Sequence, residues 1–354
     1  MRLRILRNKI VIYSGKSRMT LNNKRYKIAR IISIIISLMI DIIIAIIFYF
    51  KIDSITYSTF FVIPILVLLP LGLYRFFIRK YSKRKKILSQ EFPKPWLDIL
   101  NNDVKYYTML NDTDQKKFRD YVQVFLGEKL ITGIKTDIDD KIRILIASSA
   151  IIPVFSFEDW EYDNLSEILV YPSNFTKEYD FTQKNANILG MVGIGDSMII
   201  SKPALLEGFR IPNDRNNVGI HEFAHKVDGK DGIVDGIPSS LMTKKMQKTW
   251  VKIMKNEMNK ILNGKSDINP YATTNEAEFF AVTSEYFFEN PEKMKREHSS
   301  LYCILRKIYK QDTNVIFKSI IKSMISNGPK KITAKVPCFC GSGNKISDCC
   351  LKED

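Results

Sequence analysis

Five consecutive residues, His221, Glu222, Phe223, Ala224 and His225, carry the clearest chemistry in this sequence. Four residues make slightly more than one helical turn, so on a helix the imidazoles of His221 and His225 leave the same face and can share one zinc ion. Glu222 then lies about 100° further round, placed to take a proton from a water rather than to ligate the metal. That is the donor set of a zinc peptidase. It demands a third protein ligand and a coordination position left open to water.

The chain has only three histidines, so an accidental HExxH pairing of two of them is rare, about one in a thousand. The segment NEAEFFAVTSEYFF, residues 275–288, reads as a helix carrying Glu276, Glu278 and Glu285. Glu278 and Glu285 are two turns apart and share a face, while Phe279, Phe280, Val282, Phe287 and Phe288 supply apolar anchors. A carboxylate on a well-packed helix needs compensation, which a zinc ion provides. Spacing alone does not choose among the three glutamates.

The elements that must hold these groups follow from periodicity. Residues 114–131 show helical spacing, with Phe118, Val122, Phe125 and Leu126 on one face. Ile142–Ile146 and Ser166–Tyr171 read as strands, as does Met198–Ile200. Val218–Val227 is the expected site helix, ended by the glycine-rich turn DGKDGIVDG, and helices are expected near 241–262, 275–288 and 299–325. The mixture implies an α+β, zincin-like fold over residues 95–327.

The stretches VYPSNF, HEFAHKVDGKDGIVDGIPS and NPYATTNEAEFFAVTSEYFF together resemble the zinc-dependent peptidases of the Mlc titration factor A family, a gluzincin group. The resemblance runs from about Phe118 over roughly 200 residues. It implies that His221 and His225 are zinc ligands, that Glu278 is the third ligand, and that Glu222 is the catalytic base. It also sets Tyr271, in NPYA, where the family has a tyrosine able to donate to an oxyanion. Aminopeptidase activity is an expectation of the same kind. Asp228, three residues after His225, either orients a ligand imidazole or serves as a turn residue at the helix end.

Charge organises the rest. Of the formal net charge of +16, all belongs to residues 1–86, which hold 18 Lys/Arg and only two acids, Asp41 and Asp53. The remainder is neutral, so nucleic acid is not an expected partner. Ile31–Phe50 contains eleven isoleucines and one charge, and Ser58–Ile78 is apolar apart from Arg75. Each has about the twenty residues that a membrane-crossing helix needs, so residues 31–78 are expected to contact lipid as a two-span hairpin rather than as a cleaved signal. Asp41 is expected either to be tolerated among the isoleucines or to pair helices. Ten Lys/Arg in the basic segment 1–30 and six more between Arg79 and Lys86, within a linker at 79–94, place both flanks in the cytoplasm, making this a multi-pass protein of the cytoplasmic membrane.

After a second linker, residues 328–337, Cys338, Cys340, Cys349 and Cys350 in PCFCGSGNKISDCC have the spacing of a SEC-C motif, the small zinc module at the tail of the SecA translocation ATPase. Four thiolates after a tight glycine-serine turn suit a closed structural zinc site, and by analogy the module docks a protein partner. Two functions are therefore expected from different classes. One is a membrane-anchored zinc metallopeptidase acting on peptide or protein substrates; the other is a membrane-tethered regulator that binds a transcriptional regulator and retains little peptidase activity.

Overall fold

Isoleucine-rich sequence with one proline-free run favours a long helix, and α1 spans Asn23–Lys51. It packs against α2, Ile55–Leu88, to form a separate N-terminal unit ending at Gln90. The computed structural model describes residues 23–51, 55–158, 160–174, 190–192 and 196–314. Helix α2 continues without a break through residues 79–88, so the basic segment after the second apolar run is helical. Crossing a bilayer takes about twenty consecutive apolar residues, and among the described residues no helix is long and apolar enough to do so. The two spans expected over 31–78 are therefore helices, but not observed spans. One carboxylate oxygen of Asp41 is buried and has no hydrogen-bond partner among the described residues.

The second unit, from Glu91 onward, holds the histidine pair. It begins with α3 (Lys94–Asp103), α4 (Lys105–Thr108) and α5 (Asp112–Glu128). Asn111 caps α5 by accepting from Asp114 N, and the predicted face buries Phe118, Val122 and Phe125. This helix ends three residues before the expected boundary. Leu130–Gly133 instead leaves as strand β1, whose backbone is taken by the sheet.

A second correction concerns Ile142–Ile146, which is not a strand. It lies within α6, Asp140–Val154, capped by the Asp139 side chain accepting from Ile142 N. A continuous apolar run fits a buried strand and a buried helix equally. Burial on every side removes the periodicity that would have told them apart, since all residues from Ile144 to Val154 are buried.

The sheet has the order β1-β2-β4-β3. Strands β2 (Glu167–Tyr171) and β4 (Ser197–Ser201) fall where the sequence places them and run parallel to β1. Strand β3, Gly190–Val192, lies antiparallel along the edge of β4. Among the described residues, six further α-helices follow in the unit: α7 (Lys202–Arg210), α8 (Val218–Asp228), α9 (Lys244–Leu262), α10 (Glu276–Glu289), α11 (Pro291–Glu297) and α12 (Ser299–Tyr309). The helix expected over 299–325 turns at Lys310, which adopts a left-handed conformation (φ 52°) as its C-cap. The fold is thus mostly helical with one small, largely parallel sheet.

Helices α9 to α12 are cross-tied by an ionic cluster around His298. His298 has Glu257 Oε2 at 2.9 Å from Nδ1 and Asp267 Oδ1 at 2.7 Å from Nε2. Lys260 faces Glu257, while Lys293, Arg215 and the Tyr286 hydroxyl face Asp267. Burial opposes the charged imidazolium, but the hydrogen bonds to Glu257 and Asp267 outweigh it and raise the His298 pKa. A pKa raised on folding contributes stability fully below the unfolded value of about 6.5 and loses it as pH rises through the folded value. The melting temperature is therefore expected to fall on going from pH 6 to pH 9, and His298→Asn to flatten that slope while melting lower at pH 6. Parallel profiles for the two proteins in a thermal-shift titration would remove this role.

Candidate metal centre

The geometry begins with the capping of α8. Asn217 at its N-cap accepts from Ile220 N at 3.1 Å and donates from Nδ2 to Gly208 O and Glu289 Oε1. Its backbone N–H goes to Glu285 Oε2 at 2.5 Å, and Asn216 N donates to Glu289 Oε2. Two glutamates one turn apart on α10 thus face the positive end of α8, where carboxylates are electrostatically favoured. Gly219 lets α8 approach α6 closely, because a Cβ there would collide with Ser149 Oγ. His225 is buried and His221 half-buried, while Phe223 between them in sequence is fully buried against Phe125 and Tyr162.

Helix α10 supplies the third group. Asn275 caps it by accepting from Glu278 N at 2.8 Å, and Phe279, Phe280 and Phe287 are fully buried, with Trp250 of α9 tilted against the first and edge-on to the second. This packing aims Glu278 at α8. Its Oε2 lies 3.0 Å from His221 Nε2 and 3.5 Å from His225 Nε2, and the two Nε2 atoms are 3.2 Å apart. The donor atoms of His221, His225 and Glu278 all lie within 4.8 Å of one another. Glu276 is outside this group, and Glu285 reaches the other side of His221, with Oε1 2.8 Å from Nδ1. That contact makes Nδ1 a donor, so that the neutral imidazole would have Nε2 available for a metal.

Two nitrogens and one carboxylate oxygen fit a borderline-soft divalent ion such as zinc, and three protein ligands leave a fourth tetrahedral position for water. The electrostatics also suit a cation. Glu222, Glu278 and Glu285 surround two imidazoles; burial works against a charged His221, yet its hydrogen bonds to Glu278 and Glu285 raise its pKa well above the usual value. Burial likewise opposes a charged Glu278, and hydrogen bonds from His221 and His225 overcome it, holding the carboxyl well below the ordinary range.

Glu222 is buried, and its Oε2 has no hydrogen-bond partner among the described residues. Burial raises its pKa, with the histidine charges opposing in part. Strand β3 closes over it: a Cβ on Gly190 would stand 2.5 Å from Glu222 Oε1 and 2.6 Å from Cγ. Gly190→Ala must therefore move the carboxylate or the strand. A displacement near 1 Å costs about a hundredfold in rate, so kcat/KM on a peptide substrate is expected to fall by about that factor at unchanged metal content; unaltered kinetics would show that residue 190 does not position Glu222.

Tyr271 lies in a short 3-10 turn, Pro270–Thr273, with its ring 6.1 Å from that of His221 and half its surface exposed. Burial, then the Glu278 and Glu222 charges, raise its pKa. Asp228 is fully buried and accepts from Gly236 N at 2.7 Å. Loss of water raises its carboxyl to about 7. Cys338, Cys340, Cys349 and Cys350 lie outside the described residues. Sequence reading missed Asn217, Glu289 and Gly190, and it weighed Glu285, two turns from Glu278, as a candidate ligand and not as the partner of His221 Nδ1. That heptad spacing was the one available signal.

The sequence profile of the glucose-regulated metallo-peptidase M90 family matches residues 78–310. The chain belongs to that family. Among M90-like relatives, an uncharacterized protein of Synechocystis sp. is 29% identical over 242 residues, covering 64% of this chain and 87% of its own. A protein named Mlc titration factor A from Pectobacterium atrosepticum is 29% identical over 232 residues, 59% and 84% of the two chains. Another of that name from Yersinia pestis is 27% identical over 257 residues, 67% and 92%. Membership of the M90 family implies a metal, and the His221, His225 and Glu278 cluster falls inside the matched region.

Proposed function

We propose that this M90 chain hydrolyses peptide bonds as a zinc metallopeptidase of the HExxH gluzincin type. One observation carries the reading: the two α8 imidazoles and the Glu278 carboxylate converge, with the buried Glu222 carboxylate beside them. When bound, zinc supplies Lewis acidity and lowers the pKa of a water to about 7. Glu222 is the general base and then the general acid: its raised pKa, set by burial, suits it to accept a proton from the attacking water and return it to the leaving amine. Glu285 holds His221 in the tautomer that presents Nε2. Tyr271, half exposed beside the cluster, is placed to donate its hydroxyl proton in a hydrogen bond to an oxyanion. A comparison of peptide-library digests by the full chain and its Glu222→Gln variant tests the reading; identical digests would overturn it.

The second reading, binding of a regulatory protein, is supported by the name Mlc titration factor A that two relatives carry. It predicts full biological activity in the Glu222→Gln variant. A second, structural zinc at Cys338, Cys340, Cys349 and Cys350, with a docked partner there, is supported by their spacing.

We also infer anchoring of the N-terminal unit at the cytoplasmic membrane. Ten large apolar side chains of α1, from Ile28 to Ile46, are exposed, a surface that soluble proteins rarely leave to water. Basic residues around Arg79–Lys86 support a cytoplasmic flank. Recovery of the full chain away from phospholipid vesicles in a flotation gradient would exclude the anchor.

A further inference from the structure

The two imidazoles of the cluster are not supported alike. His221 Nδ1 has Glu285 Oε1 at 2.8 Å. His225 Nδ1 is buried and finds no partner among the described residues. Nearly one turn further along α8, Asp228 is fully buried; its Oδ2 takes the Gly236 N–H at 2.7 Å, while its Oδ1 is buried and also lacks a partner. Residues three apart on a helix are surface neighbours with Cβ atoms about 5–6 Å apart.

The two orphans are complementary. An imidazole that offers Nε2 to a metal carries its proton on Nδ1 and needs an acceptor there, and the free oxygen of Asp228 needs a donor. Buried polar atoms left unmatched are costly. The loop beyond holds Asp228 in place from the opposite side, because Gly236 donates to Oδ2 and Trp250 Nε1 pins the Gly236 carbonyl at 2.6 Å.

We propose that Asp228 is the positioning residue of His225: its Oδ1 accepts the His225 Nδ1–H, directly or through one water, and so fixes the tautomer that turns Nε2 toward the cluster. His221 and His225 would then each lean on a carboxylate, Glu285 from the neighbouring helix α10 and Asp228 from the same helix α8. The inference rests on the zinc reading given above.

Asp228→Asn separates positioning from a purely structural role. Asparagine keeps the volume and an oxygen for Gly236 N–H, but turns an NH2 donor toward the His225 Nδ1–H. Zinc affinity of the full chain, measured by chelator competition, is expected to weaken about 10- to 100-fold, with the melting temperature of the metal-free protein little changed. Wild-type affinity in the variant overturns the proposal. Because the chain has three histidines, 15N-histidine spectra of the metal-free wild type give a second readout that does not depend on the variant folding. They should show His225 protonated at Nδ1; the Nε2–H tautomer overturns the proposal. His225→Ala serves as control, for if it too binds zinc at wild-type strength, the metal reading fails rather than the role of Asp228.

Discussion

Replacing Glu222 by glutamine is expected to abolish peptide hydrolysis while leaving the metal in place. Glutamine keeps the shape of the side chain but cannot accept and return a proton, and loss of a general acid–base group costs about a hundred- to ten-thousandfold in rate. Glu222 is not a member of the converging donor set, so metal content should equal that of the wild type. Stability should not suffer. The native carboxylate is buried, one of its oxygens has no partner among the described residues, and burial raises its pKa, so an uncharged amide removes a cost of ionisation. The metal-free variant should melt no lower than the wild type. Paired measurements of kcat/KM, metal by elemental analysis and melting temperature check all three. Loss of metal together with activity would move Glu222 from base to ligand.

The second large effect concerns the ligands themselves. His225→Ala and Glu278→Ala each remove one of three donors lying within 4.8 Å of one another, and zinc at the cluster should be lost in both. With a second zinc proposed at the C-terminal cysteines, the stoichiometry should fall from about two ions per chain to about one. Zinc supplied at a thousand times its Kd stabilises a folded protein by about 4 kcal/mol, which is roughly 8–16 °C in melting temperature for a unit of this size. That increment should be absent in both variants. Unchanged stoichiometry in both would remove the ligand assignment, whatever the activity.

A comparison of Glu278 and Glu285 shows how much was legible beforehand. Their seven-residue spacing put both on one face of α10, and both do meet His221, one at Nε2 and the other at Nδ1. Which carboxylate takes which nitrogen depends on where α10 crosses α8, a quantity absent from either segment alone. The same limit explains α6: its apolar run carries no period because the whole circumference is buried, so strand and helix look alike until the neighbours are known.

By itself the sequence determined the short-range facts: two imidazoles one turn apart on α8, the glutamate between them, and the aromatic run that buries α10. These depend on helical geometry and side-chain polarity, which are local. Only the tertiary structure decided that Glu278 closes the donor set, that Glu285 stands behind His221, that the bare edge of β3 at Gly190 lies against Glu222, and that Asp228 and His225 each keep an unmatched atom. Those relations join residues from 3 to 64 positions apart, and apart from the pair on α8 they arise because packing of the apolar faces fixes the distances between elements. A spacing in the chain can name the groups, but the packing of α8 between α6, α10 and the sheet brings their atoms to one point.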